Sequence, residues 1–345
     1  MINAAKKDYS NMVSGPTFLK MIIFSVPVIL SGILQLLFNA CDIIVVGNFA
    51  GDASLAAVGS TSSLINLFTN LFIGLSVGSN VLIAHFVGSN DKSKVSLTVH
   101  TSIVLAIICG VFLSVAGFIF ANPILKLMGS PDDVIMLATL YLKIYFLGMP
   151  ALLIYNFGAA ILRAVGNTKH PLYFLTISGV LNILLNLLLV ICFSMGVAGV
   201  AIATVVSEYL SAALIIWYLS EKSEELKLTR SDLKIDPYIL KRVIAIGIPA
   251  GLQGTIFSLS NVVIQSAINS FGSDVVAGNS ATMNIEGFVY MAMNAIYQTA
   301  ITFVGQNYGA GKKKRVLRCT LQAEAIVVIV GLFFGVSAYI FSTEL

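Results

Sequence analysis

The stretch FLKMIIFSVPVILSGILQLLFNAC, residues 18–41, decides the fold. Lys20 is its only charge. A helix of that length rises about 36 Å, enough to cross the ~30 Å hydrocarbon core of a bilayer. Eight further runs of this kind follow, at 54–84, 95–120, 134–157, 170–193, 196–219, 239–269, 276–305 and 318–341. Long unbroken runs predict helices, because a spanning barrel would show alternating segments of about ten residues. Composition agrees: 57% of residues are hydrophobic and 10% charged, against about 25% charged in soluble domains.

The loops between these runs carry the cations unevenly. Lys6, Lys7 and Lys20 precede or open the first run, Lys92 and Lys94 follow the second, and Arg163 and Lys169 follow the fourth. Lys222, Lys227, Arg230, Lys234, Lys241 and Arg242 follow the sixth, and Lys312, Lys313, Lys314, Arg315 and Arg318 the eighth. Of 20 Lys and Arg, only Lys126 and Lys143 fall on the opposite side. Basic loops stay in the cytoplasm. The chain therefore reads as an inner-membrane protein crossing nine times, with its N-terminus cytoplasmic and lipid as its surroundings. Cations spread over short loops form no single basic face, so no nucleic-acid partner is expected. Cys41, Cys109, Cys192 and Cys319 are isolated, and His85, His100 and His170 are scattered. No cofactor and no metal centre are legible.

A long internal repeat sets the organisation. FSVPVILSGILQ around Pro27 answers IGIPAGLQGTIF around Pro249, and AVGS (57–60) answers AGNS (277–280). HFVGSNDKSKV (85–95) answers QNYGAGKKKRV (306–316) at an offset of 221. The offset encloses an even number of spans, so both copies enter the membrane the same way. Parallel repeats build two lobes about an axis along the membrane normal, with a site between them. The predicted division is an N-lobe over 1–219, a cytoplasmic linker over 220–237 (EKSEELKLTRSDLKIDP from 221) and a partial C-lobe over 238–345. A complete second copy would bring the chain to roughly 440 residues. The expectation is therefore a C-terminally truncated fragment with nine of about twelve spans.

Polar residues inside spans are costly and mark function. Gln35, Asn39 and Asp42 are spaced i, i+4, i+7 and share one helical face. Asn182 and Asn186, Thr204 and Glu208, and Asn66 and Asn70 pair at i, i+4 in the fifth, sixth and second spans. A pocket lined by these groups would have Asp42 as its main charge. That carboxylate could exchange a proton, or hold Na⁺ with amide and hydroxyl oxygens. Glu286 is a further intramembrane acid. Pro27 removes a backbone hydrogen bond and marks a candidate gating kink.

FNACDIIVVGNFAG (38–51), ILRAVGNTKHP (161–171), GVAGVAIATVVSEYL (196–210) and FVGQNYGAGKKKRV (303–316) resemble the multidrug and toxic compound extrusion (MATE) transporters along the whole chain. The resemblance implies an all-α polytopic fold of six-plus-six helices in two lobes. It also implies export of amphipathic, often cationic compounds by alternating access, coupled to Na⁺ or H⁺, with no enzymatic activity. Asp42, Asn182 and Thr204 match residues of the family's N-lobe site. Asn186 stands where many relatives have Asp, leaving one carboxylate of two. Tyr141 and Asn156 match fourth-helix pocket residues more loosely. The alternative, a flippase for a lipid-linked or polysaccharide substrate, would want a cationic central cavity. A monomer is expected.

Overall fold

The computed structural model describes residues 12–128, 132–222, 226–269 and 273–340, and among them every regular element is helical. Lys6 and Lys7 of the basic tail lie outside the described residues. Ten α-helices follow in order: α1 (Thr17–Phe49), α2 (Asp52–Gly88), α3 (Lys92–Leu127), α4 (Asp132–Leu147), α5 (Met149–Ala164), α6 (Lys169–Asn186), α7 (Gly196–Trp217), α8 (Pro237–Asn269), α9 (Ser273–Gly309) and α10 (Lys313–Ile340). π-helical turns extend α6 over Leu187–Cys192 and α7 over Tyr218–Lys222.

Helices outrun the apolar windows because polar residues fold into them without breaking the hydrogen-bond ladder. The fourth run is the exception. It breaks at Gly148 into α4 and α5, bent by 47°. Pro150, at the second position of α5, has no N–H to give the preceding turn. Among the described residues seven helices are long and apolar enough to span a membrane, or eight with the α4–α5 pair counted as one, against nine predicted. Among the described residues the shortfall is α9, long enough at 37 residues but studded with Glu286, Asn294, Gln298, Gln306 and Asn307.

Helices α1–α7 enclose the larger core, which includes Val46, Ile83, Ile103, Leu142, Phe157 and Ile161. A smaller core joins α1 to α9 and α10 through Met21, Phe24, Phe303 and Cys319, with Met12 fully buried beneath them. Across the two groups α2 packs closely on α8. A Cβ on Gly74 would lie 2.2 Å from Gly251 Cα, so the two backbones touch there. Small residues give the same backbone approach at other membrane helix pairs.

The repeat is visible as reciprocal contact. A Cβ on Gly88 would meet the Gln306 carbonyl oxygen at 1.9 Å, and one on Gly309 would meet the His85 carbonyl oxygen at 2.0 Å. At the offset of 221, Gly88 corresponds to Gly309 and His85 to Gln306. Each helix thus offers its partner the same glycine and the same carbonyl, as at a two-fold interface. The α1–α9 and α2–α8 pairings repeat that relation on either side.

The basic end of the bundle is tied shut beside this contact. The Arg315 guanidinium donates to the carbonyls of Met12 (3.0 Å), Ser14 (3.1 Å) and Gly15 (2.9 Å) and to Asn307 Oδ1 (3.0 Å). Lys312 Nζ donates to Val13 O at 3.0 Å. The segment read as a linker is anchored over its second half: Thr229 N donates to His100 Nε2 at 3.1 Å and Asp236 N to Thr101 Oγ1 at 3.1 Å. Asp236 Oδ1 accepts from Ile239 N at 2.9 Å and caps α8.

Candidate functional site

A cavity of about 480 Å³ lies between α1, α2, α4–α7 and α9. It falls within the range of small-molecule sites, and such sites are mostly apolar with a few placed polar groups. Gln35, Asn39 and Asp42 all line it, as their shared face predicts. The first two are open to the cavity, while Asp42 is 9% exposed.

The buried carboxylate is gripped by two helices. Asn186 Nδ2 of α6 donates to Asp42 Oδ1 and, at 3.2 Å, to Asn182 Oδ1. Thr204 Oγ1 of α7 donates to Asp42 Oδ2 at 3.4 Å and accepts from Asn182 Nδ2 at 3.4 Å. The i, i+4 step from Asn182 to Asn186 stacks two amides on one face of α6, and Thr204 meets them from α7. Asn186 Oδ1 is buried without a hydrogen-bond partner. The cluster therefore holds five oxygens around one negative charge. That donor set suits a proton on the carboxylate or a hard monovalent cation among the oxygens.

Tyr141 and Asn156 line the same cavity. Tyr141 stacks on Tyr145 with ring centroids 5.9 Å apart, and Asn156 Nδ2 donates to Leu152 O at 2.8 Å. Pro27 sits buried in a continuous α1, with Val28 and Ser31 of the next turn facing the cavity. Glu286 is not brought to the site. It is exposed and lies outside the lining, one turn before Tyr290, Asn294 and Gln298, which do line it.

Two further charges line the cavity: Glu208, which spacing pairs with Thr204, and Arg163, which was not placed at the site from sequence. Glu208, one turn after Thr204, lines the cavity, and its Oε2 is buried with no hydrogen-bond partner. It fits there because position 148 is glycine: a Cβ on Gly148 would lie 2.3 Å from that oxygen. The carboxylate so faces the N-terminal end of α5, where the helix dipole favours negative charge. Among the described residues the lining therefore holds two carboxylates, Asp42 and Glu208. Arg163 was counted with the loop cations. It belongs to the last turn of α5 and lines the cavity, with its Nε buried and unpartnered. Its spacing of seven from Asn156, on the same face, was the available signal.

Comparison with known proteins agrees with this architecture. The MatE family profile matches residues 27–188 and 249–345. The "Probable multidrug resistance protein YoeA" of Bacillus subtilis (strain 168) is 30% identical over 332 residues, covering 94% of this chain and 72% of the relative. The "FAD transporter" of Shewanella oneidensis is 25% identical over 330 residues, covering 94% and 72%. A structure described as an outward-facing conformation of a multidrug resistance MATE family transporter superposes with a TM-score of 0.91 at 24% identity, covering 98% of this chain and 75% of that one. A Pyrococcus furiosus transporter of the MOP superfamily, described as having a binding pocket of reverse polarity, gives 0.89 at 25% identity, covering 97% and 74%. The two-part family match, the relatives and the shared all-helical fold together make this chain a multi-pass membrane protein of the MATE family of multidrug efflux transporters.

Proposed function

We propose that the chain exports amphipathic, often cationic compounds across the cytoplasmic membrane as a Na⁺- or H⁺-coupled antiporter. The observation that carries this reading is the buried Asp42 carboxylate, which lines the cavity with Asn182 and Thr204 and is held from behind by Asn186. A single carboxylate in the ring is neutralised by one monovalent ion, so ion entry removes the charge that burial makes costly. Tyr141, Tyr145 and the apolar lining would receive the flat, greasy part of a substrate. Gln35, Asn39 and Asn156 would orient it.

The coupling ion is treated as cargo, and no resident cofactor is required. Ion on Asp42 would draw α1 toward α6 and α7, with Pro27 as the flexible point, and narrow the substrate's share of the cavity. Antiport follows only if ion and drug favour different states, since equal affinity for both shifts nothing. The N-lobe (1–219) and the C-lobe helices (238–345) would rock about the cavity, the chain acting as a monomer. The charge bias of the loops supports a cytoplasmic N-terminus and basic end. A flippase is the second reading. Its need for a cationic cavity is poorly met, because Asp42 and Glu208 outnumber Arg163 along the lining.

The test is ethidium efflux from cells expressing the chain or Asp42→Asn at matched membrane levels, with the proton and sodium gradients collapsed separately. Loss of efflux in the mutant, and on collapse of one gradient, is the expected result. Gradient-driven efflux that survives Asp42→Asn would remove this carboxylate from coupling.

A further inference from the structure

Arg163 has no counter-charge. Its guanidinium is ionised at any pH a protein meets. Among the described residues no carboxylate lies within ion-pairing distance, and Nε finds no acceptor. Polar side chains on the neighbouring turns are already hydrogen-bonded elsewhere, mostly to backbone carbonyls. Asn80 Nδ2 donates to Ala160 O at 3.0 Å and its Oδ1 accepts from Thr302 at 3.2 Å. Gln306 Nε2 donates to Ala164 O at 2.8 Å, and Tyr155 OH to Pro171 O at 3.1 Å. A cation held inside a membrane protein is expensive unless something pairs with it.

The position gives the missing partner a shape. Glu208 abuts Gly148, at the head of α5, and Arg163 stands fifteen residues further along the same helix. At 1.5 Å per residue that is about 22 Å along the helix axis. The cavity is therefore dipolar, with carboxylates at one end and a guanidinium at the other. We infer that Arg163 is an anion subsite at the floor of the cavity, taking the carboxylate or phosphate group of an amphipathic solute. A guanidinium forks onto either group with two parallel hydrogen bonds, which a lysine cannot reproduce. Anion-bearing and dipolar compounds then belong to the substrate range alongside simple cations.

This inference rests on the cavity being the substrate site, and its test separates the two. The full chain is placed in phosphatidylcholine nanodiscs, and binding of carboxyfluorescein, an anion, and ethidium, a cation, is followed by fluorescence anisotropy. Arg163→Gln should weaken carboxyfluorescein at least tenfold and leave ethidium within twofold, with Arg163→Lys in between. Unchanged carboxyfluorescein binding, or an equal loss of both dyes, would overturn the subsite. Should Arg163→Gln not fold, Arg163→Lys and competition on the parent chain carry the decision. Displacement of carboxyfluorescein by inorganic phosphate supports a soluble anion, and displacement only by dihexanoyl phosphatidic acid supports a headgroup. Displacement by neither refutes the site. Absence of ethidium binding by the parent would count against the cavity as a drug site, while the carboxyfluorescein comparison still reads Arg163.

Discussion

Adding one methyl group at the reciprocal contact should open the basic end. In Gly88→Ala the new carbon would lie 1.9 Å from the Gln306 carbonyl oxygen, an atom fixed in helix α9. Relief requires about 1 Å of helix separation, and overpacking of this kind costs about 1–3 kcal/mol. The closed arrangement bears that cost and an arrangement with α2 and α9 apart does not. The equilibrium between them should move about 5–150-fold toward the separated form. Gly309→Ala puts a carbon 2.0 Å from the His85 carbonyl and should do the same from the other side. Since both act on one gap, the first substitution makes room for the second, and the double mutant should fall well short of the sum. Spin labels at the exposed Ser89 and Tyr308 would report the separation by pulsed dipolar spectroscopy in nanodiscs. A distance distribution unchanged in either single mutant, or strictly additive shifts in the double, would refute the idea that this contact is one gate.

Other consequences can be measured directly. Arg315→Ala removes the three hydrogen bonds that hold residues 12–15 over the second core, and a fourth to Asn307. With Cys41, Cys109 and Cys192 changed to Ser, maleimide labelling of the buried Cys319 should rise at least tenfold, since a charged hydrogen bond is worth roughly 1.5–3 kcal/mol. Glu208→Gln is expected to impair transport, and Gly148→Ala to impair it alike, because its methyl occupies the space of Oε2; normal transport in either would remove Glu208 from the site. At the α2–α3 turn, Asp91 accepts from Lys94 N at 3.1 Å and pairs with Lys94 Nζ at 2.8 Å, which holds its carboxyl below the ordinary 3.8. A depressed carboxylate stabilises the fold fully above that ordinary value, and the contribution disappears as pH falls through the lower one. Thermal unfolding should therefore lose that acid-range slope in Asp91→Asn.

Residues whose meaning is periodic were legible in the sequence. Gln35, Asn39 and Asp42 share a face by spacing alone, and the steps Asn182–Asn186 and Thr204–Glu208 put oxygen ligands in register before any packing is known. The repeat read from 85–95 and 306–316 appears in space as the Gly88–Gln306 and Gly309–His85 contacts. Positions governed by depth and neighbours were not legible. Arg163 is three residues from Gly166, where α5 has ended in a turn, so its charge counts as loop charge unless the neighbouring helices are known to cover it. The break at Gly148 lies inside an apolar run that a hydropathy window reads as one span; only Pro150 hinted at it. Glu286 sits at the proper spacing before Tyr290, yet the cavity ends one turn short of it. Pattern gives the face of a helix, and packing gives how far along it the site extends.

The anchoring of residues 229–236 bears on how the two halves can move. Thr229 and Asp236 are hydrogen-bonded to His100 and Thr101 of α3, and the Asp236 side chain caps α8. The connecting strap is thus riveted to the first half of the molecule up to the residue at which the second half begins. Its contour length therefore adds no slack between them, and a relative rotation is expected to turn about the Asp236–Pro237 bond. Because that pivot lies at the basic end, a small tilt there becomes a large displacement at the far end of α8, some 50 Å away by helix length. Mechanically the strap is a clevis with a fixed pin, and lengthening it before Thr229 would leave the arc of motion unchanged.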